Sequence, residues 1–259
     1  MLVDTHAHLT DNKFCGDLDG VIARAEESGV SAIIDVGENL ATSLRCIAHA
    51  GRYKSIFASV GIHPHHAARA SEAEIKGIAR RADNPMVVAI GETGLDYHHR
   101  SASRELQAGL FRRLLRVAIE KGLPVIVHCR EAYADVIALL REAGSEGARG
   151  VLHCFSGSGG DADALLEMGY YISVGGPLTY PANASLRSIV QHLPLERVLV
   201  ETDCPYLPPQ GHRGKRNEPA NVVYVALEVA RLRGLSREGV EATTTANARR
   251  LFDKMVLHG

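Results

Sequence analysis

Tryptophan is missing, and eight tyrosines and five phenylalanines bring aromatic residues to only 5% of the 259 positions. That excludes a long platform of exposed rings on which successive flat groups stack. Neither sign of charge prevails: 29 lysines and arginines stand against 30 aspartates and glutamates, a net charge of −1. No chain-wide basic field therefore draws nucleic acid or an anionic membrane, and any phosphate recognition must come from a local cluster. The five cysteines (Cys15, Cys46, Cys129, Cys154 and Cys204) are odd in number and lack disulfide-like spacing, which favours a reducing cytoplasm. No apolar run reaches membrane-spanning length, and the first twenty residues carry acids and histidines where a secretory signal needs an apolar core. Linkers, low-complexity tracts and a Gly-rich phosphate fingerprint after the first strand are also lacking. The last of these argues against an open doubly wound sheet.

What is present is a repeated alternation of short β-rich runs and longer helical patterns. The runs are Leu2–His6, Ala32–Val36, Ile56–Ile62, Met86–Glu92, Pro124–His128, Gly150–Cys154, Tyr170–Val174 and Val198–Glu201. Most are continuously apolar, as parallel strands buried on both faces are. Ser101–Lys121 carries the clearest helical stripe, through Leu106, Leu110, Leu114 and Ala118. Ser71–Arg80, Ala132–Ala143, Ala162–Met168 and Ala184–His192 read similarly, and Gly29, Gly122, Gly144 and Gly169 stand where helices stop. Pro219 opens a helix running to about Arg233, and Ser236–Phe252 forms a helical appendix. A hydrophobic content of 46% supports a large core. Eight β/α units in this length predict one domain over residues 1–259, a (β/α)8 TIM barrel with a C-terminal helical appendix.

In such a barrel the active site lies at the C-terminal ends of the strands. Here the apolar runs close on chemistry-bearing residues: Asp4-Thr5-His6-Ala7-His8, Gly61-Ile62-His63-Pro64-His65, Gly91-Glu92-Thr93-Gly94-Leu95-Asp96, His128-Cys129-Arg130, His153-Cys154-Phe155-Ser156 and Glu201-Thr202-Asp203-Cys204-Pro205. His6 and His8 are two apart and share one face of a strand. Any one histidine at a strand end is more often a satisfied polar residue than a ligand. Barrel closure, however, gathers all of them at one mouth. His6, His8, Glu92, His128, His153 and Asp203 exceed the roughly three protein ligands of a single open catalytic ion. They suit two divalent ions (magnesium, manganese or zinc) with Glu92 as the bridge. One division places His6, His8 and Asp203 on the first ion, with His128 and His153 on the second. Such a pair can activate water and clamp the oxygens of an in-line phosphoryl displacement.

These motifs resemble the TatD family of metal-dependent deoxyribonucleases, within the wider amidohydrolase-like barrels. Asp4 to His8, Gly61 to His65, Gly91 to Tyr97, His128 to Arg130, His153 to Gly157 and Glu201 to Asp203 carry the resemblance, and Arg216 to Pro219 and Asn247 to Phe252 extend it over the chain. It implies a TIM-barrel hydrolase with two divalent ions that cleaves phosphodiester bonds of DNA, with metal binding on the same six residues. Glu92 stands where many amidohydrolase relatives have a bridging carboxylated lysine, which favours the TatD-like branch over lactonases and phosphotriesterases. His98-His99 departs from the further aromatic residue that the resemblance implies after Tyr97, leaving substrate contacts on that loop open.

Asp203 is the candidate for holding metal and handling the proton of the attacking water, with Glu92 beside it. Glu201 reads either as a second inward carboxylate or, preferably, as a support for a ligand histidine or Arg130. His63 and His65 either contact substrate phosphate and orient the ligands, or cap the turn at Pro64. Cys129 and Cys154 alternate away from the metal side and read as packing residues. The basic segment 211–217, with Arg213, Arg216 and Asn217, follows the eighth strand, where barrel enzymes often bind phosphate, and Arg130 is a second guanidinium for that role. The expected substrate is DNA, engaged as a strand end or short single-stranded segment by an exonuclease. Two alternatives remain at this point: hydrolysis of a small ester, lactone or amide, and a non-catalytic nucleic-acid-binding protein.

Overall fold

The computed structural model describes residues 1–256. Its strands are β1 (Leu2–Ala7), β2 (Val30–Val36), β3 (Ile56–Val60), β4 (Val87–Asp96), β5 (Val125–Arg130), β6 (Gly150–Leu152), β7 (Tyr171–Val174) and β8 (Val198–Val200). They form one sheet in sequence order with every ladder pair parallel. The sheet closes where the first strand meets the chain after the last. Asp203 N–H donates to His6 O at 2.9 Å, His8 N–H donates to Cys204 O at 2.8 Å, and Ala7 bridges Cys204. The protein is a TIM barrel, as its alternating pattern predicts.

The helices are α1 (Leu18–Glu27), α2 (Leu40–Arg52), α3 (Glu72–Arg81), α4 (Arg104–Lys121), α5 (Tyr133–Gly144), α6 (Gly159–Glu167), α7 (Ala184–His192), α8 (Val222–Arg233) and α9 (Arg237–Leu251). Side-chain caps start α2, α3, α4, α6 and α9: Ser103 accepts from Leu106 N–H at α4, for example, and Asn39 with Thr42 forms a reciprocal capping box at α2. Gly122 ends α4 in the left-handed region at φ 65°. The sequence reading gives α1 only its stop, at Gly29, and misses α2. α2 is nonetheless amphipathic: it buries Ser43, Cys46 and Ala50, and Leu40 and Ile47 pack against the core beside them. Pro219 opens a short 3-10 turn, Pro219–Asn221, rather than α8 itself.

Two apolar layers hold the barrel. The larger packs strands against the surrounding helices. The smaller fills the barrel interior toward the strand starts, where Val3, Ile34, Val88, Ile126 and Leu199 meet Leu251, Phe252 and Met255. The appendix thus plugs one end of the barrel, and the amide of Asn247 anchors α9 by donating to Leu195 O and Val198 O at 2.8 Å each. The opposite end, at the strand C-termini, is left to polar residues.

Candidate metal centre

The same closure that joins β1 to the chain after β8 assembles the first half of the site. Strand alternation turns His6 and His8 to one side, with their Nε2 atoms 3.1 Å apart. Asp203 lies past the end of β8 with φ 57°, a left-handed conformation that aspartate tolerates better than most residues. This turn brings its Oδ1 to 3.3 Å from His8 Nε2 and 3.7 Å from His6 Nε2.

Glu92 supplies the centre of the mouth. The β4–β5 register shifts between Ile90 and Thr93, and Glu92 N–H leaves that ladder to donate to Gly37 O at 2.9 Å. Such an irregularity re-aims a side chain. Its Oε2 lies 3.4 and 3.5 Å from Nε2 of His6 and His8. Its Oε1 lies 2.7 Å from His128 Nδ1, 2.9 Å from His153 Nε2 and 3.4 Å from His63 Nε2. One carboxylate therefore presents each oxygen to a different set of donors.

The donor sets fit cations. Four ligands at ~2.1 Å around a tetrahedral ion lie about 3.4 Å from one another. The nitrogens and oxygens of His6, His8, Glu92 and Asp203 have recorded separations of 3.1 to 3.7 Å. The second set is tighter, 2.7 to 3.4 Å, close to the roughly 3.0 Å ligand spacing of octahedral coordination at the same bond length. Two of the His/Asp/Glu groups able to hold a metal among the described residues are His6, His8, Asp203 and His63, Glu92, His128. The Oε2 distances of Glu92 to His6 and His8 place it with both sets.

Electrostatics favour positive charge here. Burial works to raise the Glu92 carboxyl, but His153, His63 and His128 outweigh it and hold the group well below its usual range. Burial opposes charge on His8, yet the Asp203 hydrogen bond and the charges of Glu92 and Asp203 push it up to about 10. Burial dominates at His63 and lowers it to about 4. Ionised carboxylates surrounded by imidazoles in a buried mouth attract cations, whether protons or metal ions.

The far sides of the imidazoles are also held. His8 Nδ1 is 3.3 Å from Val36 O, and His153 Nδ1 is 3.4 Å from Glu201 Oε1, which also accepts from Cys154 N–H at 2.7 Å. Glu201 thus sits behind His153. His6 Nδ1 and Glu201 Oε2 are buried without partners among the described residues. His128 Nε2 is 3.3 Å from Asp96 Oδ2, so Asp96 orients that ring. The sequence reading gives Asp96 no role. Its signal was an aspartate two residues past a conspicuous glycine, on a strand assumed to have ended at Glu92. Tyr206 was also missed; 45% exposed, it lies at the mouth with its ring 6.1 Å from that of His8.

The remaining expected residues divide. His63 both caps the Pro64 turn, accepting from His65 N–H at 3.1 Å, and points its other nitrogen at Glu92. His65 faces Asp96 instead, at 2.9 Å. Arg130 is exposed at the end of β5, and Arg213 lies over the Tyr180 ring at 4.6 Å. Cys129 is buried in the core, as expected for packing, whereas Cys154 is only partly buried. Arg216 does not fit the expected substrate role. It donates to Asp17, Glu218 and Lys13 O and covers Phe14. Asn217 departs from it further, because the residue is fully buried. Its amide donates to Thr202 O and Tyr206 O at 2.9 and 2.8 Å and accepts from Glu218 N–H and Asn221 Nδ2 at 3.0 and 2.8 Å. Asn217→Ala strands these buried partners and costs about 3 kcal/mol, read as a lower urea midpoint.

A parallel barrel with imidazoles and carboxylates converging at its mouth defines the class as the metal-dependent barrel hydrolases. Within it, the chain belongs to the TatD-related DNase family, whose family model matches residues 3–253. It is 41% identical to the uncharacterized metal-dependent hydrolase YabD of Bacillus subtilis, covering 97% of this chain and 99% of that one. It is 37% identical to the 3'-5' ssDNA/RNA exonuclease TatD of Edwardsiella piscicida, over 97% and 99% of the two chains. Among solved structures, the TatD homologue YJJV of Escherichia coli matches with a TM-score of 0.93 and 31% identity, over 97% and 98%.

Proposed function

We propose that this protein hydrolyses phosphodiester bonds of DNA from single-stranded ends, using two divalent ions (magnesium, manganese or zinc) held around Glu92. The observation that carries the reading is the division of the Glu92 oxygens between two donor sets. His6, His8 and Asp203 would hold one ion and His63, His128 and His153 the other. Ions so held supply Lewis acidity and acidify a bound water. Glu92 fixes the two donor sets relative to each other, while Asp96 and Glu201 orient His128 and His153. Asp203, whose side chain remains 14% exposed, takes the proton of the attacking water. As the new P–O bond forms and the ester P–O bond breaks, it returns that proton to the leaving oxygen.

A mouth whose His63, Glu92 and His153 are buried suits a strand end better than the side of a duplex. Tyr206 offers one ring for an end base, in keeping with the few aromatics of the chain. Arg213 and Arg130 lie on the same end of the barrel as candidates for phosphate contacts. Arg213→Ala lowers affinity for a single-stranded oligonucleotide about fivefold and reduces the slope of log affinity against log salt by about 0.7, one phosphate contact. Fluorescence anisotropy across a salt series in calcium reads both. We further take residues 1–259 as one domain working in the cytoplasm, where free thiols such as those of Cys15 and Cys46 persist.

The test is hydrolysis of end-labelled single- and double-stranded DNA by chelator-treated protein, with and without added magnesium, manganese or zinc. The proposal expects metal-dependent shortening of single strands from an end. Turnover only of a lactone, ester or amide panel contradicts it, as does DNA binding without cleavage.

A further inference from the structure

We infer that His65, Asp96 and His99 form a third divalent-cation site on the rim, separate from the two donor sets that meet at Glu92. Three ring nitrogens converge on one carboxylate oxygen: Asp96 Oδ2 lies 2.9 Å from His65 Nε2, 3.0 Å from His99 Nδ1 and 3.3 Å from His128 Nε2. One carboxylate oxygen offers about two lone-pair directions, so three N–H donors crowd it. Among the described residues, its partner Oδ1 accepts only the His99 backbone N–H, at 2.8 Å. A cation shared by His65, His99 and Oδ2 resolves the crowding and leaves one N–H donor, that of His128.

The spacing suits this role. Cis ligands of an octahedral ion at ~2.1 Å stand about 3.0 Å apart, as both histidine nitrogens do from Oδ2. The carboxylate is held in place beforehand. Asp96 is buried, its N–H donates to Gln107 Oε1 at 2.8 Å, and its carbonyl accepts from Gln107 Nε2 at 2.9 Å. The histidines are the open side, with side chains 36% and 49% exposed, so water or a phosphate oxygen can complete the shell. Two imidazole nitrogens and one carboxylate oxygen favour a borderline ion such as zinc, cobalt(II) or nickel over magnesium. His65 and Asp96 fall within the stretches that carry the TatD resemblance, whereas His99 lies in the loop where the sequence departs from it.

The experiment loads chelator-treated full-length protein with zinc, counts ions by plasma mass spectrometry and locates them by anomalous diffraction. Wild type is expected to hold three ions, one bonded to Asp96. His99→Ala and the better size-matched His99→Gln are expected to hold two and lose that peak. Glu92→Ala is expected to keep the Asp96 peak while losing the pair, so failure of the Glu92 reading and failure of this one give different maps. Absence of a peak at Asp96 in wild type, its survival in both His99 variants, or its loss in Glu92→Ala overturns the proposal.

Discussion

Glu92→Gln lowers phosphodiester cleavage by at least about a thousandfold while leaving the barrel folded. Glutamine keeps the shape of the side chain but replaces one of the two oxygens with an amide nitrogen that cannot accept a metal. Both oxygens face donor nitrogens at 2.7 to 3.5 Å, so whichever position the nitrogen takes, one donor set loses its shared ligand. The carboxylate charge that balances the surrounding imidazoles is lost as well. Removing a single group that stabilises developing charge typically costs a hundred- to a thousandfold, and here an ion goes with it. Single-turnover cleavage of end-labelled single-stranded DNA reads the loss, and the metal content should fall in parallel. Cleavage within tenfold of wild type would remove Glu92 from the chemistry.

Gly94→Ala has the largest expected effect on stability, about 4 kcal/mol, the range reserved for a broken backbone fit. Gly94 pairs with His128 in the β4–β5 ladder and has φ 141°, a conformation that side chains rarely adopt. A Cβ there would lie 2.0 Å from the His128 carbonyl oxygen, an atom of the backbone that cannot step aside. Either the two strands separate or β4 changes its dihedrals, and both displace His128 from Glu92. The urea midpoint should drop steeply, and whatever folded protein remains should bind less metal. A midpoint unchanged from wild type would show that the strands are not held at this register.

The barrel was legible because most of its strands are largely apolar on both faces and most of its chemistry-bearing residues fall toward their C-terminal ends. Val87–Ile90 and Val125–Val127 read as strands without any knowledge of their partners. The six residues His6, His8, Glu92, His128, His153 and Asp203 could be selected for a related reason: strand-end position in a closed barrel implies proximity. The sequence could not reveal where β4 ends. An irregularity at Gly91-Glu92 lets the strand continue to Asp96, and a pattern reading that stops at the first carboxylate loses the second. His63 was ambiguous because one nitrogen caps a turn and the other meets Glu92; both expected roles have a counterpart in its geometry. Asn217 and Arg216 misled for the opposite reason. A polar, basic stretch after β8 looks like a phosphate loop in one dimension, whereas burial of Asn217 and pairing of Arg216 with Asp17 and Glu218 are properties of the folded chain.

The most direct measurement is an anomalous difference map of crystals soaked in manganese or zinc. Two ions should stand on either side of the Glu92 carboxylate, about 3.5–4 Å apart. One should be bonded to His6, His8 and Asp203, and the other to His63, His128 and His153. A single ion touching Glu92, or none within reach of its oxygens at saturating metal, contradicts the account.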